Sequence, residues 1–150
     1  WDDVKRIKDW WGGKLIIKGI MDPDDAKMAQ KCGADALVVS NHGGRQLDGV
    51  NSSISMLPQI KKAISGIEVL FDGGISSGQD ILKAIALGAE GVMIGRSFVY
   101  GLSAKGKKGV KNALEILNKE LDMTMALCGR RDIKDVGRDI IKDCPFFDKN

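Results

Sequence analysis

One segment, residues 36–48 (ALVVSNHGGRQLD), joins four consecutive apolar residues to a polar loop that contains two glycines. The apolar part, Ala36–Val39, has the composition of a buried strand in a parallel sheet. The loop carries the only histidine of the chain, His42, and an arginine three residues later, Arg45. Because binding groups lie at the carboxyl ends of parallel strands in α/β proteins, this segment predicts an α/β fold with a site at that edge.

Outward from this segment, a strand–loop–helix unit recurs four times along the chain. Strands are predicted at Leu15–Lys18, Ala36–Ser40, Glu68–Asp72 and Gly91–Ile94. Helices are predicted from the first residues to Trp11 and at Asp22–Cys32, Ser53–Ile64, Gln79–Leu87, Lys107–Leu121, Met123–Cys128 and Ile133–Ile141, with a tail at 146–150. This alternation is typical of a parallel sheet covered by helices, either a (β/α)8 barrel or an open doubly wound sheet. A whole barrel needs about 250 residues, so four units correspond to half of one.

The composition is that of a folded globular domain. The chain has 150 residues, of which 43% are hydrophobic and 29% charged, and this predicts one folded domain rather than disorder. A net charge of +3, with basic and acidic residues interleaved, argues against a nucleic-acid-binding surface. Three cysteines without paired metal-type spacing indicate reduced thiols of a cytosolic protein. The chain begins at Trp1 without a methionine, and we expect it to be a piece of a longer protein.

His42 and Arg45 together suggest chemistry on a carboxylic acid. A neutral imidazole is well suited to accept a proton near pH 7, and a guanidinium fork holds a carboxylate in a fixed pose. The glycines between them let the backbone bring both groups toward one small anion. A histidine taken alone is more often a satisfied core residue, but the neighbouring Arg45 and the polar ends of the other strands favour the catalytic interpretation.

Two glycine-rich strand ends, residues 71–75 (FDGGI) and 87–96 (LGAEGVMIGR), predict a phosphate cradle. The alternative is that these glycines only form turns and close helix–strand contacts. The spacing fits neither a P-loop nor a dinucleotide-binding turn. Lys18, at the end of the first strand, is either a cation directed at the site or a side chain escaping to solvent. Asp48 and Asp72 are each either a cap or a site residue.

Four motifs, residues 15–20 (LIIKGI), 40–48 (SNHGGRQLD), 72–75 (DGGI) and 94–96 (IGR), resemble the FMN-dependent α-hydroxy acid dehydrogenase/oxidase family. The resemblance runs from Trp1 to about Ile141. It implies a (β/α)8 barrel of which residues 1–150 form the C-terminal half, strands five to eight. The implied reaction is the oxidation of L-lactate or a related 2-hydroxy acid to the 2-oxo acid, with two electrons passing to FMN.

The resemblance also implies a role for individual residues. His42 would be the active-site base, Arg45 would bind the substrate carboxylate, and Lys18 would stabilise the anionic reduced flavin. The remaining cofactor-binding positions implied for FMN are Ser40, Asp72, Gly73, Gly74, Ile75, Ser76, Gly95 and Arg96. The family has an arginine, a second phosphate-binding cation, where this chain has Ser76.

The family's N-terminal half supplies further flavin and substrate contacts that residues 1–150 do not contain. An alternative interpretation is therefore a non-catalytic half-barrel that at most binds phosphate and pairs with itself through its open strand edges. A third is another phosphate-binding barrel enzyme. The partners expected are a small 2-hydroxy acid and either a second copy or the missing half. The expected location is the cytoplasm, with a peripheral contact to the inner membrane.

Overall fold

The computed structural model describes residues 1–142 and shows strands alternating with helices along the chain. The strands are β1 (Ile16–Ile20), β2 (Ala36–Val39), β3 (Glu68–Asp72) and β4 (Gly91–Met93). The helices are α1 (Asp2–Trp11), α2 (Pro23–Lys31), α3 (Ser53–Ala63), α4 (Gly78–Ala86) and α5 (Arg96–Leu127). The tail predicted at 146–150 lies outside the described residues.

The four strands form one parallel sheet in the order β1-β2-β3-β4. Each connection between neighbouring strands passes through a helix, as parallel pairing requires. The prediction of a parallel sheet with helical connections is therefore confirmed. Within residues 1–142, β1 and β4 each pair with a single neighbour, so both outer edges of the sheet are open.

The hydrophobic core lies between one face of the sheet and the helices. Leu37 and Val39 of β2 and Val69 and Phe71 of β3 point to this face and are buried. Leu57 and Ile60 of α3, with Ala26 and Ala29 of α2 and Ala84 of α4, complete this layer. The alternation of side chains along a strand sends the intervening residues to the opposite face.

That opposite face is only partly covered. Ile16 is paired with Ala36 and Met93 with Asp72, so these side chains share the face away from the core. Ile16 is 53% exposed and Met93 is 41% exposed. Parallel sheets are normally buried on both faces, and this sheet therefore presents an apolar surface that a further layer would cover.

The C-terminal region differs from the prediction. α5 begins at Arg96 rather than at Lys107, and it continues to Leu127, which absorbs the segment predicted at Met123–Cys128. A break at Gly106, with φ 56° and ψ −139°, folds the first part of the helix back on the second. Gly101 and Gly109 meet there, since a Cβ on Gly109 would lie 1.8 Å from the Gly101 carbonyl oxygen. In the sequence, Gly101 and Gly109 look like residues that end a helix. In the structure, their missing side chains allow this close backbone contact.

The helix predicted at Ile133–Ile141 is wrong. Two short 3-10 turns, Ile133–Asp135 and Arg138–Ile140, occupy this region and flank Gly137, which is extended with ψ 178°. Val136, between the turns, is buried against Leu82 and Ala86 of α4. Packing onto α4 therefore takes precedence over helical periodicity. Within residues 1–142, no helix is both long and apolar enough to cross a bilayer.

Candidate active site

The polar residues singled out in the sequence gather at one edge of the sheet. Lys18 lies in β1, Ser40 directly follows β2, Asp72 ends β3, and Gly95 and Arg96 join β4 to α5. Because the strands are parallel, their carboxyl ends meet at the same edge, where α/β proteins bind ligands. The fold therefore brings together residues up to 78 positions apart, from Lys18 to Arg96.

Ser40 is the centre of a hydrogen-bonded cluster. The Lys18 ammonium donates to Ser40 Oγ at 3.0 Å and to Asp72 Oδ2 at 2.8 Å. Ser40 Oγ in turn donates to Asp72 Oδ2 at 2.6 Å, and it accepts the main-chain N–H of His42 at 3.1 Å. Ser40 is 1% exposed. Its hydroxyl thus bonds to three groups of the protein, and the contact with the flavin that the sequence resemblance implied stays a prediction.

Asp72 is ionised within this cluster. Burial raises the pKa of its carboxyl, but the hydrogen bonds from Lys18 and Ser40 and the positive charge of Lys18 outweigh burial and lower the pKa below its usual value. The carboxylate thus partly neutralises the Lys18 ammonium. An ammonium has three N–H donors, and Lys18 uses two of them, which leaves one for a ligand.

The imidazole of His42 lies against the end of β1. The register of β1 on β2 shifts between Lys18 and Ile20, and the intervening Gly19 has φ +99°. A Cβ on Gly19 would lie only 2.9 Å from Nε2 of His42. The bulge and the missing side chain together make room for the imidazole. Gly19 was missed as a site residue, although a glycine directly after the strand-end lysine is the signal that could have indicated a bulge.

The loop after β2 fixes the main chain of His42. His42 has φ +55° and is the only non-glycine residue of positive φ among residues 1–142. Such a conformation is uncommon and is held here by local hydrogen bonds. The side chain of Asn41 accepts the N–H of Gly43 at 3.0 Å, and the N–H of Gly44 donates to the Asn41 carbonyl at 3.0 Å.

Arg45 follows His42 by one turn of this loop, and its N–H donates to the His42 carbonyl at 3.4 Å. Both side chains are exposed. Neither the imidazole nor the guanidinium makes a hydrogen bond or ion pair with the other residues of the described chain. The loop that follows Ser40 therefore carries an imidazole and a guanidinium that no side chain of residues 1–142 engages.

The loop after β3 begins with two glycines, of which the first is closely packed and the second is open. Gly73 has φ +121°, and a Cβ there would lie 2.5 Å from the Ser53 hydroxyl oxygen. Gly74, in contrast, has φ +76° and nothing within 4 Å of the position of a Cβ. The side chain of Ile75 is buried in the core, so only its main chain can face a ligand.

The N-terminus of α4 is already satisfied by carboxylates of the protein. Asp80 accepts hydrogen bonds from the N–H and hydroxyl groups of both Ser76 and Ser77, at 2.9 to 3.1 Å. Burial raises the pKa of Asp80, but these four donors outweigh burial and lower the pKa below its usual value. Glu120 of α5 accepts the N–H of Gly78 at 2.9 Å. Ser76, predicted to bind the cofactor, therefore serves the capping of α4.

The N-terminus of α5 is open by comparison. Gly95 precedes the helix, provides no side-chain cap, and has nothing within 4 Å of the position of a Cβ. Arg96 follows at the first position of the helix and is exposed. Uncapped N–H groups, an unobstructed glycine and a guanidinium fit a phosphate group, so this junction suits a phosphate-bearing cofactor better than α4 does. No cluster of His, Cys, Asp or Glu within residues 1–142 has the arrangement of a metal site.

Comparison with known proteins agrees with this geometry. The model of the FMN-dependent dehydrogenase family matches residues 1–143. The chain belongs to this family. The (β/α)8 barrel is the fold that the sequence resemblance associated with the family, and the parallel sheet of residues 1–142 agrees with it.

Relatives named L-lactate dehydrogenase are about half identical to the chain. The protein from Stenotrophomonas maltophilia (strain R551-3) is 50% identical over 146 residues, which are 97% of this chain and 38% of the relative. The protein from Actinobacillus pleuropneumoniae serotype 5b is 51% identical over 95% of this chain and 38% of the relative. That from Pectobacterium atrosepticum is 53% identical over 93% of this chain and 36% of the relative. The chain thus spans less than two fifths of the length of these relatives.

Solved structures of a mandelate oxidase have the same fold over the matching region. The structure with benzoyl-formic acid superposes with a TM-score of 0.88 at 45% identity, covering 92% of this chain and 42% of that chain. A structure with 3,3-difluoro-2-hydroxy-3-phenylpropionic acid gives the same values. Both bound molecules are carboxylic acids with oxygen on the neighbouring carbon, as their names state.

Proposed function

We propose that the protein oxidises L-lactate, or a closely related 2-hydroxy acid, to the 2-oxo acid and transfers the electrons to FMN. The observation that carries this proposal is the hydrogen bond that ties the main chain of His42 to the Lys18–Ser40–Asp72 cluster, on a loop that also carries the exposed guanidinium of Arg45. The identity of about 50% with proteins named L-lactate dehydrogenase supports lactate as the substrate.

The chemistry of the substrate assigns a role to each group. Oxidation of a 2-hydroxy acid removes two electrons and two protons, and FMN, when bound, would supply the acceptor for both electrons and for one of the protons. Nε2 of His42 accepts one of the protons. Arg45 binds the substrate carboxylate and so orients the reacting carbon. The free N–H donor of Lys18 stabilises negative charge as it develops.

The open main chain provides the cofactor contacts. Gly95 and Arg96 would hold the FMN phosphate, because the N-terminus of α5 is uncapped while that of α4 is closed by Asp80 and Glu120. Gly73 and Gly74 would approach the cofactor through their backbone. This division leaves one phosphate-binding arginine, since Ser76 stands where the family has the second one.

We further propose that residues 1–150 form the C-terminal half of a (β/α)8 barrel. Four parallel strands with both edges open are half of an eight-stranded barrel, and the face bearing Ile16 and Met93 is where the barrel interior would lie. The coverage of 38% of the L-lactate dehydrogenase relatives supports a longer whole protein. The missing half, rather than a second copy, would then close the barrel.

Titration of FMN with the purified chain, followed by quenching of flavin fluorescence, tests the cofactor assignment. We expect saturable binding that weakens about tenfold or more in Arg96→Ala, because a charge-assisted hydrogen bond contributes about 1.5–3 kcal/mol. Arg131→Ala is the matched control, since Arg131 is an exposed arginine outside the site. Equal affinities for the two variants would exclude Arg96 as a phosphate ligand.

Co-expression with the complementary N-terminal part of the Stenotrophomonas maltophilia relative tests the catalytic and barrel proposals together. We expect a one-to-one complex that bleaches bound FMN when L-lactate is added without oxygen. His42→Gln should keep the FMN and lose the bleaching. Bleaching at the normal rate in this variant would refute the role of His42, and failure of the two parts to associate would refute the half-barrel.

A further inference from the structure

The hydroxyl of Ser40 has all of its hydrogen-bonding positions occupied by the protein. A hydroxyl can donate one hydrogen bond and accept two. Ser40 Oγ donates to Asp72, and it accepts from the Lys18 ammonium and from the N–H of His42. The residue is 1% exposed, so these three partners enclose the hydroxyl.

The three partners come from three separate parts of the sheet edge. Lys18 belongs to β1, Asp72 to the end of β3, and His42 to the loop after β2. They are 22, 32 and 2 positions from Ser40 in the sequence. Ser40 Oγ therefore links the Lys18 ammonium to the main chain of His42.

We propose that Ser40 is a positioning residue, which holds the Lys18 ammonium and the main chain of His42 in a fixed relation through its one buried hydroxyl. The roles of Lys18 and His42 rest on the proposed function, whereas the coupling itself rests on the geometry alone. Ser40 thus acts on the reaction through Lys18 and His42.

The two neighbours depend on Ser40 to different degrees. Lys18 keeps a second acceptor, Asp72, at 2.8 Å when the hydroxyl is removed. The N–H of His42 makes its only hydrogen bond within residues 1–142 to Ser40. His42 also has the uncommon φ of +55°, which local contacts must maintain. Loss of the hydroxyl should therefore release the His42 loop more than it moves Lys18.

Ser40→Ala removes the hydroxyl with almost no change of volume, and NMR on the 150-residue chain can follow the result. Amide hydrogen exchange at His42 should accelerate about tenfold or more, since an unsatisfied donor has lost its acceptor. The pKa of the Asp72 carboxyl should rise toward its ordinary value because one of its two donors is gone. Ser40→Thr keeps the hydroxyl and should restore both values.

Ser53→Ala is the matched control. Ser53 is the other buried serine of the described chain, at 3% exposure, and it makes no hydrogen bond to Lys18, Asp72 or His42. It should leave the exchange at His42 and the pKa of Asp72 unchanged. Unchanged exchange at His42 in Ser40→Ala, or equal changes in both variants, would overturn the proposal.

Kinetics in the FMN-loaded complex with the complementary half give the functional measurement. In Ser40→Ala, the rate of flavin reduction at saturating L-lactate should fall about tenfold or more, since it depends on His42. The half-saturating concentration should stay within about twofold, because Arg45 makes no bond to Ser40. A change confined to the half-saturating concentration would overturn the proposal. If the unmodified chain binds no FMN while Ser40→Ala still releases His42, the proposed function fails and the coupling by Ser40 stands.

Discussion

Replacing Gly19 with alanine should have two separate effects, one on the stability of the fold and one on the position of the His42 imidazole. Gly19 lies at the bulge of β1 with φ +99°, and the added Cβ would lie 2.9 Å from Nε2 and 3.3 Å from Cε1 of His42. The first distance is shorter than real Cβ contacts. One of the two side chains must therefore move, and the exposed imidazole can rotate whereas a Cβ cannot.

The expected loss of stability comes from the backbone. A non-glycine residue held at a strongly positive φ costs on the order of 1–3 kcal/mol. Rotation of the imidazole relieves the contact at little further cost, because His42 makes no side-chain hydrogen bond that rotation would break within residues 1–142. We therefore expect the free energy of unfolding in urea to fall by about 1–3 kcal/mol.

The substitution should also displace the imidazole and so lower the rate of the reaction. Displacement of a catalytic group by about 1 Å can lower a rate by about 100-fold. The chain contains one histidine, so the ring signals in a ¹H–¹³C NMR spectrum report on His42 alone. Gly19→Ala should shift these signals and slow the L-lactate-dependent reduction of FMN by about tenfold or more in the complex with the complementary half.

Gly66→Ala provides the control. Gly66 has φ +79°, and nothing lies within 4 Å of the position of its Cβ, so alanine there adds a comparable backbone strain without touching His42. The two variants should lose similar stability, and only Gly19→Ala should move the ring signals. Unchanged ring signals and a normal reduction rate in Gly19→Ala would show that the bulge does not set the position of the imidazole.

Two further predictions concern the carboxylates around the site. The lowered pKa of Asp72 means that its ionised form stabilises the folded state above its ordinary pKa of 3.8, and that this contribution is lost as the pH falls. Asp72→Asn should therefore be less stable than the unmodified chain in urea at neutral pH, and the difference should close as the pH falls below the ordinary pKa of 3.8. Asp80→Ala should lower the free energy of unfolding by about 1–2 kcal/mol, because the first turn of α4 and its two serines lose their common acceptor. Asp24→Ala, which removes an exposed pair with Lys27, should lower the free energy of unfolding less than Asp80→Ala does, and a larger loss would contradict the capping argument.

The local sequence was sufficient for most of the secondary structure. Apolar runs bounded by glycines predicted all four strands to within two residues at each end, and the Asp22–Pro23 start predicted α2. The predictions that were wrong concern the start of α5, where glycines allow close packing, and residues 133–141, whose conformation depends on packing against α4. Gly101 and Gly109 act through a contact between two parts of α5, and Val136 acts through its contact with α4. Neither contact leaves a periodic signal in the local sequence.

The candidate site divides in the same way. Because parallel strands align their carboxyl ends, the residue types were enough to predict His42 and Arg45 at one edge of the sheet. They left Lys18 open between the site and solvent, and Asp72 open between a cap and a site residue. Tertiary packing alone determined which atoms meet there. Ser40 bonds to residues 22 and 32 positions away, and Glu120 caps a helix 42 positions earlier. Such contacts depend on the register between strands and the packing of helices, which are set by the whole core and not by any segment of the chain.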